Sequence, residues 1–243
     1  MSSPTPPSSQ THRPDGRTSS SSLRPLSSSL SCLSNAAGSC HFYAGNTQIM
    51  ASLFGPAPPK IPSAESIDGS TIGIVLKGFS RAVKEECNGM TEREVERWVH
   101  NALSATVDKK AYPRCVFQVT LSVIASDGSV LSALISAAVL ALLDAGIQMI
   151  SLPLATTCLI SRHAINFDPT SDEQAMDDTA TVVLTMDSVR EGVIASVTHG
   201  HMSSSEYLAC IEGADRAKQA MLAFFRIAME QKTVREHKTL WTL

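Results

Sequence analysis

Strict alternation is the clearest periodic signal in the chain. Phe117, Val119, Leu121 and Val123 point one way and Gln118, Thr120 and Ser122 the other, so the spacing predicts a half-buried strand with a defined register. Upstream, the run Ser39 to Tyr43 and the run Thr47 to Phe54 flank Ala44-Gly45-Asn46, which reads as a β-hairpin closed by a Gly-Asn turn, with Gly55-Pro56 ending its second strand. Thr71 to Leu76 reads as a further strand. Thr91 to Val107 then switches to helical spacing, with Val95, Trp98, Val99, Ala102 and Thr106 on one face and Thr91-x-x-Glu94 as a capping box. After the alternating strand, Asp127-Gly128-Ser129 turns into an apolar helix from Val130 to Asp144. Its small residues, among them Ala133, Ser136 and Ala137, suit close packing on a sheet, and Gly146 suits its C-terminal end. Leu152 to Ile160, Thr181 to Met186 and Val193 to Val197 read as three more strands. Ser203-x-x-Glu206 opens a long helix from Ser204 to about Gln231, with Leu208, Ile211, Ala214, Met221, Phe224 and Phe225 on its apolar face.

This order of elements is that of an α+β protein, with helices packed on one side of mixed sheets. Residues 1–34 are dominated by Ser, Pro and Thr and cannot bury enough apolar surface to offset their ordering entropy. They read as a largely disordered arm, with Arg13 to Ser34 tethered to the surface in part. The folded part divides into a first half, 35–150, and a second half, 151–232, followed by a polar, frayed tail, 233–243.

Composition narrows the possibilities. The 243 residues carry a net charge of −3, with 18% charged and 5% aromatic side chains, which excludes a globally basic nucleic-acid glove and a surface of base-stacking platforms. The six cysteines form no CxxC pair and read as reduced thiols of a nucleocytoplasmic protein. The most apolar stretch, Val130 to Leu143, is too short to span a bilayer core of roughly 30 Å. The N-terminus has no secretory core. It is rich in Ser and Arg like a mitochondrial presequence, but Pro4, Pro6, Pro7 and Pro14 would break the amphipathic helix such a signal needs.

Several motifs, in order, resemble the RNase PH fold (the ribosomal protein S5 domain 2-like class), and within it the RNase PH-like ring subunits of the eukaryotic RNA exosome core. They are Arg13-Pro14-Asp15-Gly16-Arg17 with Leu23-Arg24-Pro25; Gly45-Asn46-Thr47 with Gly55-Pro56; Pro113-Arg114; Asp127-Gly128-Ser129; Leu143-Asp144-Ala145-Gly146-Ile147; and Asp168-Pro169-Thr170-Ser171. The last, with the segment Val95 to Val107, looks most like a catalytically silent small-type subunit. The resemblance implies two βαβα-like halves and one of two jobs. Active members cleave RNA from its 3′ end with inorganic phosphate, releasing nucleoside diphosphates; silent members build the ring and line its RNA channel. It further implies related subunits in a hexameric ring, cap subunits, an associated nuclease and RNA as partners, no membrane, and a location in nucleus, nucleolus and cytoplasm.

Phosphorolysis needs an anion clamp, a carboxylate pair for a divalent metal or general acid, and basic residues for the RNA backbone. In active members an arginine follows the turn that resembles Asp127-Gly128-Ser129; here Val130 and Leu131 follow it, and neither can carry an anion. Ser129 is the one phosphate-ligand candidate, with capping of the following helix as its structural role. Aligned back from the following strand, the carboxylate pair of active members falls near Gln174 and near Thr179 or Ala180. Glu173 and Asp178 lie one residue away and are the catalytic candidates if the chain is active, against a reading of the whole stretch as a solvated acidic loop. Arg93 and Arg97, four apart on one helical face, and Arg114 are the RNA-contact candidates. His199 and His201 read as loop residues, and no metal or other cofactor is expected. The leading expectation is a non-catalytic ring subunit. The alternatives are an active phosphorolytic exoribonuclease and a stand-alone binding module on the same fold.

Overall fold

A computed structural model describes residues 13–17, 19–59, 66–161, 164–176 and 179–241. The predicted hairpin is formed by β2 (Gly38–Ala44) and β3 (Thr47–Ala57), joined at Gly45-Asn46. β3 does not stop at Gly55-Pro56. It continues to Ala57, which pairs with Val116 beyond a register shift. The alternating run forms β5 (Val116–Ala125), antiparallel to β3 and parallel to β4 (Thr71–Lys77). Its Phe117, Val119 and Leu121 are buried, as the pattern required.

One strand was not legible. β1 (Leu26–Leu30) lies inside the segment read as a disordered arm, yet it pairs along its length with β2 and gives a sheet of order β1-β2-β3-β5-β4. The reading of 1–34 as largely disordered is therefore corrected for its second half; residues 1–12 lie outside the described residues. The sequence Leu-Ser-Ser-Ser-Leu has too little apolar surface to be a strand alone. β2 supplies its hydrogen bonds, and its two leucines pack against the core.

The second sheet is antiparallel throughout, in the order β7-β6-β8-β9: β6 (Pro153–Ser161), β7 (Ala164–Phe167), β8 (Thr179–Asp187) and β9 (Val193–His199). Between the sheets runs the apolar helix, numbered α3 in chain order (Val130–Asp144). It packs on β2 and β3 on one side and on β6 on the other, so Val130 through Leu142 are all buried. This is why it reads as apolar all round rather than as an amphipathic stripe. The approach is closest at Gly38, where a Cβ would sit 2.4 Å from the Ala141 carbonyl oxygen.

Four more α-helices complete the architecture. α1 (Arg81–Glu86) precedes α2 (Glu92–Thr106), whose N-terminus is closed as predicted, the Glu94 carboxylate accepting from the Thr91 N–H at 2.7 Å. α4 (Ser171–Gln174) follows β7. α5 (Ser204–Trp241) starts at its predicted capping box but runs through the segment read as a frayed tail. Cys210 and Ala214 pack in the second-half core, and Met221, Phe225 and Ala228 extend the main core. Beyond them, the Lys232 ammonium donates to the Asp144 carbonyl (2.7 Å) and pairs with its carboxylate (2.9 Å), which ties the late turns of α5 to the end of α3.

Candidate functional site

The site is built around the β5–α3 turn. Gly128 and Ser129 both have left-handed backbone, φ +76° and +53°. At Gly128 a Cβ would lie 2.6 Å from the Pro169 oxygen and the Thr170 carbonyl carbon, so only glycine lets the β7–α4 turn close over this one. Ser129 does not cap α3 as predicted. A capping side chain needs an extended backbone, and the left-handed one turns this hydroxyl away from the helix. Ser129 Oγ instead donates to the Pro169 carbonyl at 2.9 Å, and the residue is 2% exposed. Val130 and Leu131 are buried too.

A carboxylate of the protein itself already sits against this turn. Glu86, the last residue of α1, accepts from the Gly128 N–H through Oε2 (3.2 Å) and from the Ser171 hydroxyl through Oε1 (3.2 Å), and the Ser126 hydroxyl also bonds to it. Burial pushes its carboxyl above the usual range against these three bonds, and the charge of Asp127 adds to the rise. Sequence reasoning missed Glu86 because nothing local marks it: it lies 42 residues before Gly128.

Three arginines of the segment before β1 lock the two turns together. Arg24 donates from Nε and Nη2 to the two carboxylate oxygens of Asp168 (3.1 and 2.7 Å), and also reaches the carbonyls of Asp127 and Gly128. Arg13 makes a second fork to Glu173 (2.8 and 2.7 Å) and caps the Phe167 carbonyl (3.0 Å). Arg17 pairs with Asp15 and donates to the carbonyls of Ser22 and Asp168. Burial alone would raise the Asp168 carboxyl, but the hydrogen bonds and charge of Arg24 hold it below its ordinary value; Arg13 does the same for Glu173. The arginine-containing motif was legible, but its clamping role was not.

Glu173 is therefore no part of a solvated acidic loop. It is 2% exposed, committed to Arg13, and accepts the Thr170 N–H at 3.0 Å, closing a capping box on α4. Asp172, its neighbour, is exposed as expected. Asp178, the other catalytic candidate, lies outside the described residues. Arg93 and Arg97 are exposed on the first turns of α2, whereas Arg114 is exposed just before β5. β4 separates the two groups: its first residue bonds the Cys115 carbonyl, and Leu76, near its other end, bonds Glu96 of α2. That strand spans roughly 20 Å, so the three arginines do not form one patch. Arg93 and Arg97 lie at the end of the molecule that carries the β5–α3 turn. Among the described residues, no three His, Cys, Asp or Glu side chains group so that they could hold a metal ion.

Comparison with known proteins places this geometry. Residues 22–148 match the family model described as the 3′ exoribonuclease family, domain 1. The exosome complex exonuclease RRP46 homolog of Arabidopsis thaliana is 29% identical over 238 residues, covering 91% of this chain and 97% of the relative. The exosome complex component RRP41-like of the same plant is 31% identical over 186 residues, covering 76% and 72%. Among solved structures, rice (Oryza sativa) Rrp46 superposes with a TM-score of 0.78 at 28% identity, covering 88% of this chain and 98% of that one.

Proposed function

Because this chain belongs to the RNase PH family of 3′ exoribonucleases, we propose that it serves 3′-to-5′ RNA processing and degradation as a ring-building subunit of an exosome core, and that it does not itself catalyse phosphorolysis. The relatives that match it nearly end to end bear exosome names, which supports the ring assignment. Its partners are then related RNase PH-like subunits, with cap subunits and a nuclease joined to the ring and RNA passing through it. Its place is the nucleus, nucleolus and cytoplasm, where such rings would work.

One observation carries the non-catalytic reading. Glu86 takes the Gly128 N–H of the β5–α3 turn and the Ser171 hydroxyl beside it, and the residues after that turn are buried valine and leucine. A phosphate arriving there would meet a carboxylate with no cationic fork behind it, and like charges at about 4 Å repel by about 4 kcal/mol near a protein surface. Arg24, the nearest arginine fork, is spent on Asp168. Arg93 and Arg97 remain as exposed cations for an RNA backbone at the same end.

The test is native purification of the chain followed by phosphorolysis assays. Related RNase PH-like subunits are expected to co-elute, and the isolated chain is expected to release no nucleoside diphosphate from RNA when phosphate is added. Phosphate-dependent release by the isolated chain, abolished by Asp178→Asn, would overturn the reading in favour of an active exoribonuclease. A chain that purifies alone would overturn the ring assignment.

A further inference from the structure

Two of the six free cysteines meet across the second half of the fold. Cys158 on β6 and Cys210 on α5 are both buried, and both belong to the core of that half. The seating of α5 on the sheet brings them together. Cys158 pairs across the strands with Phe167 of β7. Gly213, three residues after Cys210 on the same helix face, lies so near the Phe167 ring that a Cβ there would collide with it. The helix therefore rests closely on this part of the sheet, and the Cys158 thiol donates a hydrogen bond to the Cys210 sulfur.

A thiol attacks only as its thiolate. The hydrogen bond from Cys158 holds the Cys210 thiol below its ordinary value, against burial and the nearby charge of Glu206, so Cys210 is the first of the two to ionise. The same bond raises the Cys158 thiol, and burial adds to the rise. Elsewhere burial pushes thiols up, Cys87 to about 12 and Cys40 likewise upward. The exposed Cys32 donates its thiol hydrogen to the Ser29 carbonyl at 3.0 Å.

We propose that Cys158 and Cys210 are a peroxide-oxidisable pair whose disulfide staples the early turns of α5 to β6. The Cys210 thiolate attacks one oxygen of hydrogen peroxide. The O–O bond breaks, a sulfenic acid forms, and the departing hydroxide takes up the proton that Cys210 lost, as water. The Cys158 sulfur then displaces hydroxide from the sulfenic sulfur, the S–S bond forms, and the hydroxide leaves with the Cys158 proton as a second water. The two thiols lose two electrons in all, and the peroxide gains them. The inference does not depend on whether the chain builds a ring.

The test treats the purified, reduced full chain with hydrogen peroxide, then unfolds it, alkylates the remaining thiols and maps its peptides by mass spectrometry. A linked pair of peptides carrying Cys158 and Cys210 is expected, released by dithiothreitol. Closing a loop of roughly 50 residues restricts the unfolded chain, so the oxidised protein is expected to unfold at a higher temperature. Cys158→Ser should form no link and leave Cys210 as a sulfenic acid that dimedone traps, whereas Cys32→Ser should behave as the wild type. Cys158 and Cys210 recovered fully alkylated while Cys32 is oxidised would overturn the proposal. So would a link that joins other cysteines, or an unfolding temperature that does not rise with the link. If Cys158→Ser does not fold, the wild-type peptide map decides alone.

Discussion

Replacing Arg24 by alanine tests whether the segment before β1 belongs to the folded structure or decorates it. Arg24 is 5% exposed, and its guanidinium contacts both Asp168 oxygens, the Thr47 hydroxyl and two carbonyls of the β5–α3 turn. Without it, the buried Asp168 carboxylate loses its fork, and the two carbonyls lose a donor. Removing one partner of a buried, hydrogen-bonded pair costs about 3–5 kcal/mol, because the charge left behind is uncompensated. Against a total of about 5–15 kcal/mol this is a large fraction, and urea unfolding at neutral pH would show it as a lowered midpoint. The pH dependence gives a second, sharper reading. In the wild type Asp168 titrates below its ordinary value, so its contribution is fully present above the unfolded carboxyl pKa of about 3.9 and fades as pH falls through the folded pKa. In the variant burial, the largest influence on this carboxyl, is opposed only by the residue-24 N–H and the Ser129 hydroxyl, and the folded pKa is expected to rise above the unfolded one. Acidification then relieves the variant by protonating the stranded carboxylate while it weakens the wild type. The stability gap should narrow as pH drops from 7 towards 4, and Arg24→Ala with Asp168→Asn should be milder than Arg24→Ala alone. A neutral-pH cost below about 1 kcal/mol, or a gap that does not change with pH, would refute the clamp.

Three further outcomes are expected. Gly38→Ala forces a Cβ to within 2.4 Å of the Ala141 oxygen and 2.6 Å of the Ala145 nitrogen, both backbone atoms; overpacking of this kind costs about 1–3 kcal/mol or more, and an unchanged thermal midpoint would mean that α3 does not bear on β2 so closely. Lys232→Met keeps the aliphatic stem but frees Asp144, whose carboxylate also accepts from Ser31 and the Ser39 N–H, so amide exchange in the last turns of α5 should accelerate while exchange around Met221 stays slow. Glu86→Ala empties the cradle at Gly128 and Ser171. Added sulfate or phosphate should then raise the unfolding temperature of the variant and leave the wild type unmoved; equal responses would show that Glu86 does not occupy an anion's place.

Much of the fold was legible because its signals are local. The alternation of Phe117 to Val123 states which face of β5 is buried, the Gly45-Asn46 turn sits between two strand-like runs, and Thr91 with Glu94 marks a helix start within a few residues. β1 and the end of α5 were missed for the opposite reason. Leu-Ser-Ser-Ser-Leu is a strand only beside β2, and the turns beyond Gln231 are helical in a chain where Lys232 has Asp144 to hold. The same division runs through the site. That valine and leucine follow Ser129 where active members of the family carry an arginine was legible from the resemblance. That Glu173 is buried against Arg13, that Ser129 turns from its helix to Pro169, and that Glu86 fills the cradle were not.

The amino-acid order by itself determined where apolar side chains recur, and so most of the strands and helices, and that no arginine directly follows the β5–α3 turn. Those properties depend on neighbours a few residues away, whose spacing is set by backbone geometry. Only the tertiary structure decided which charges meet. Arg24 and Asp168 are 144 residues apart, Arg13 and Glu173 160, and Glu86 and Gly128 42. A charge is worth little in water and much once it is buried opposite a partner, and neither burial nor partner exists until the two halves close on each other.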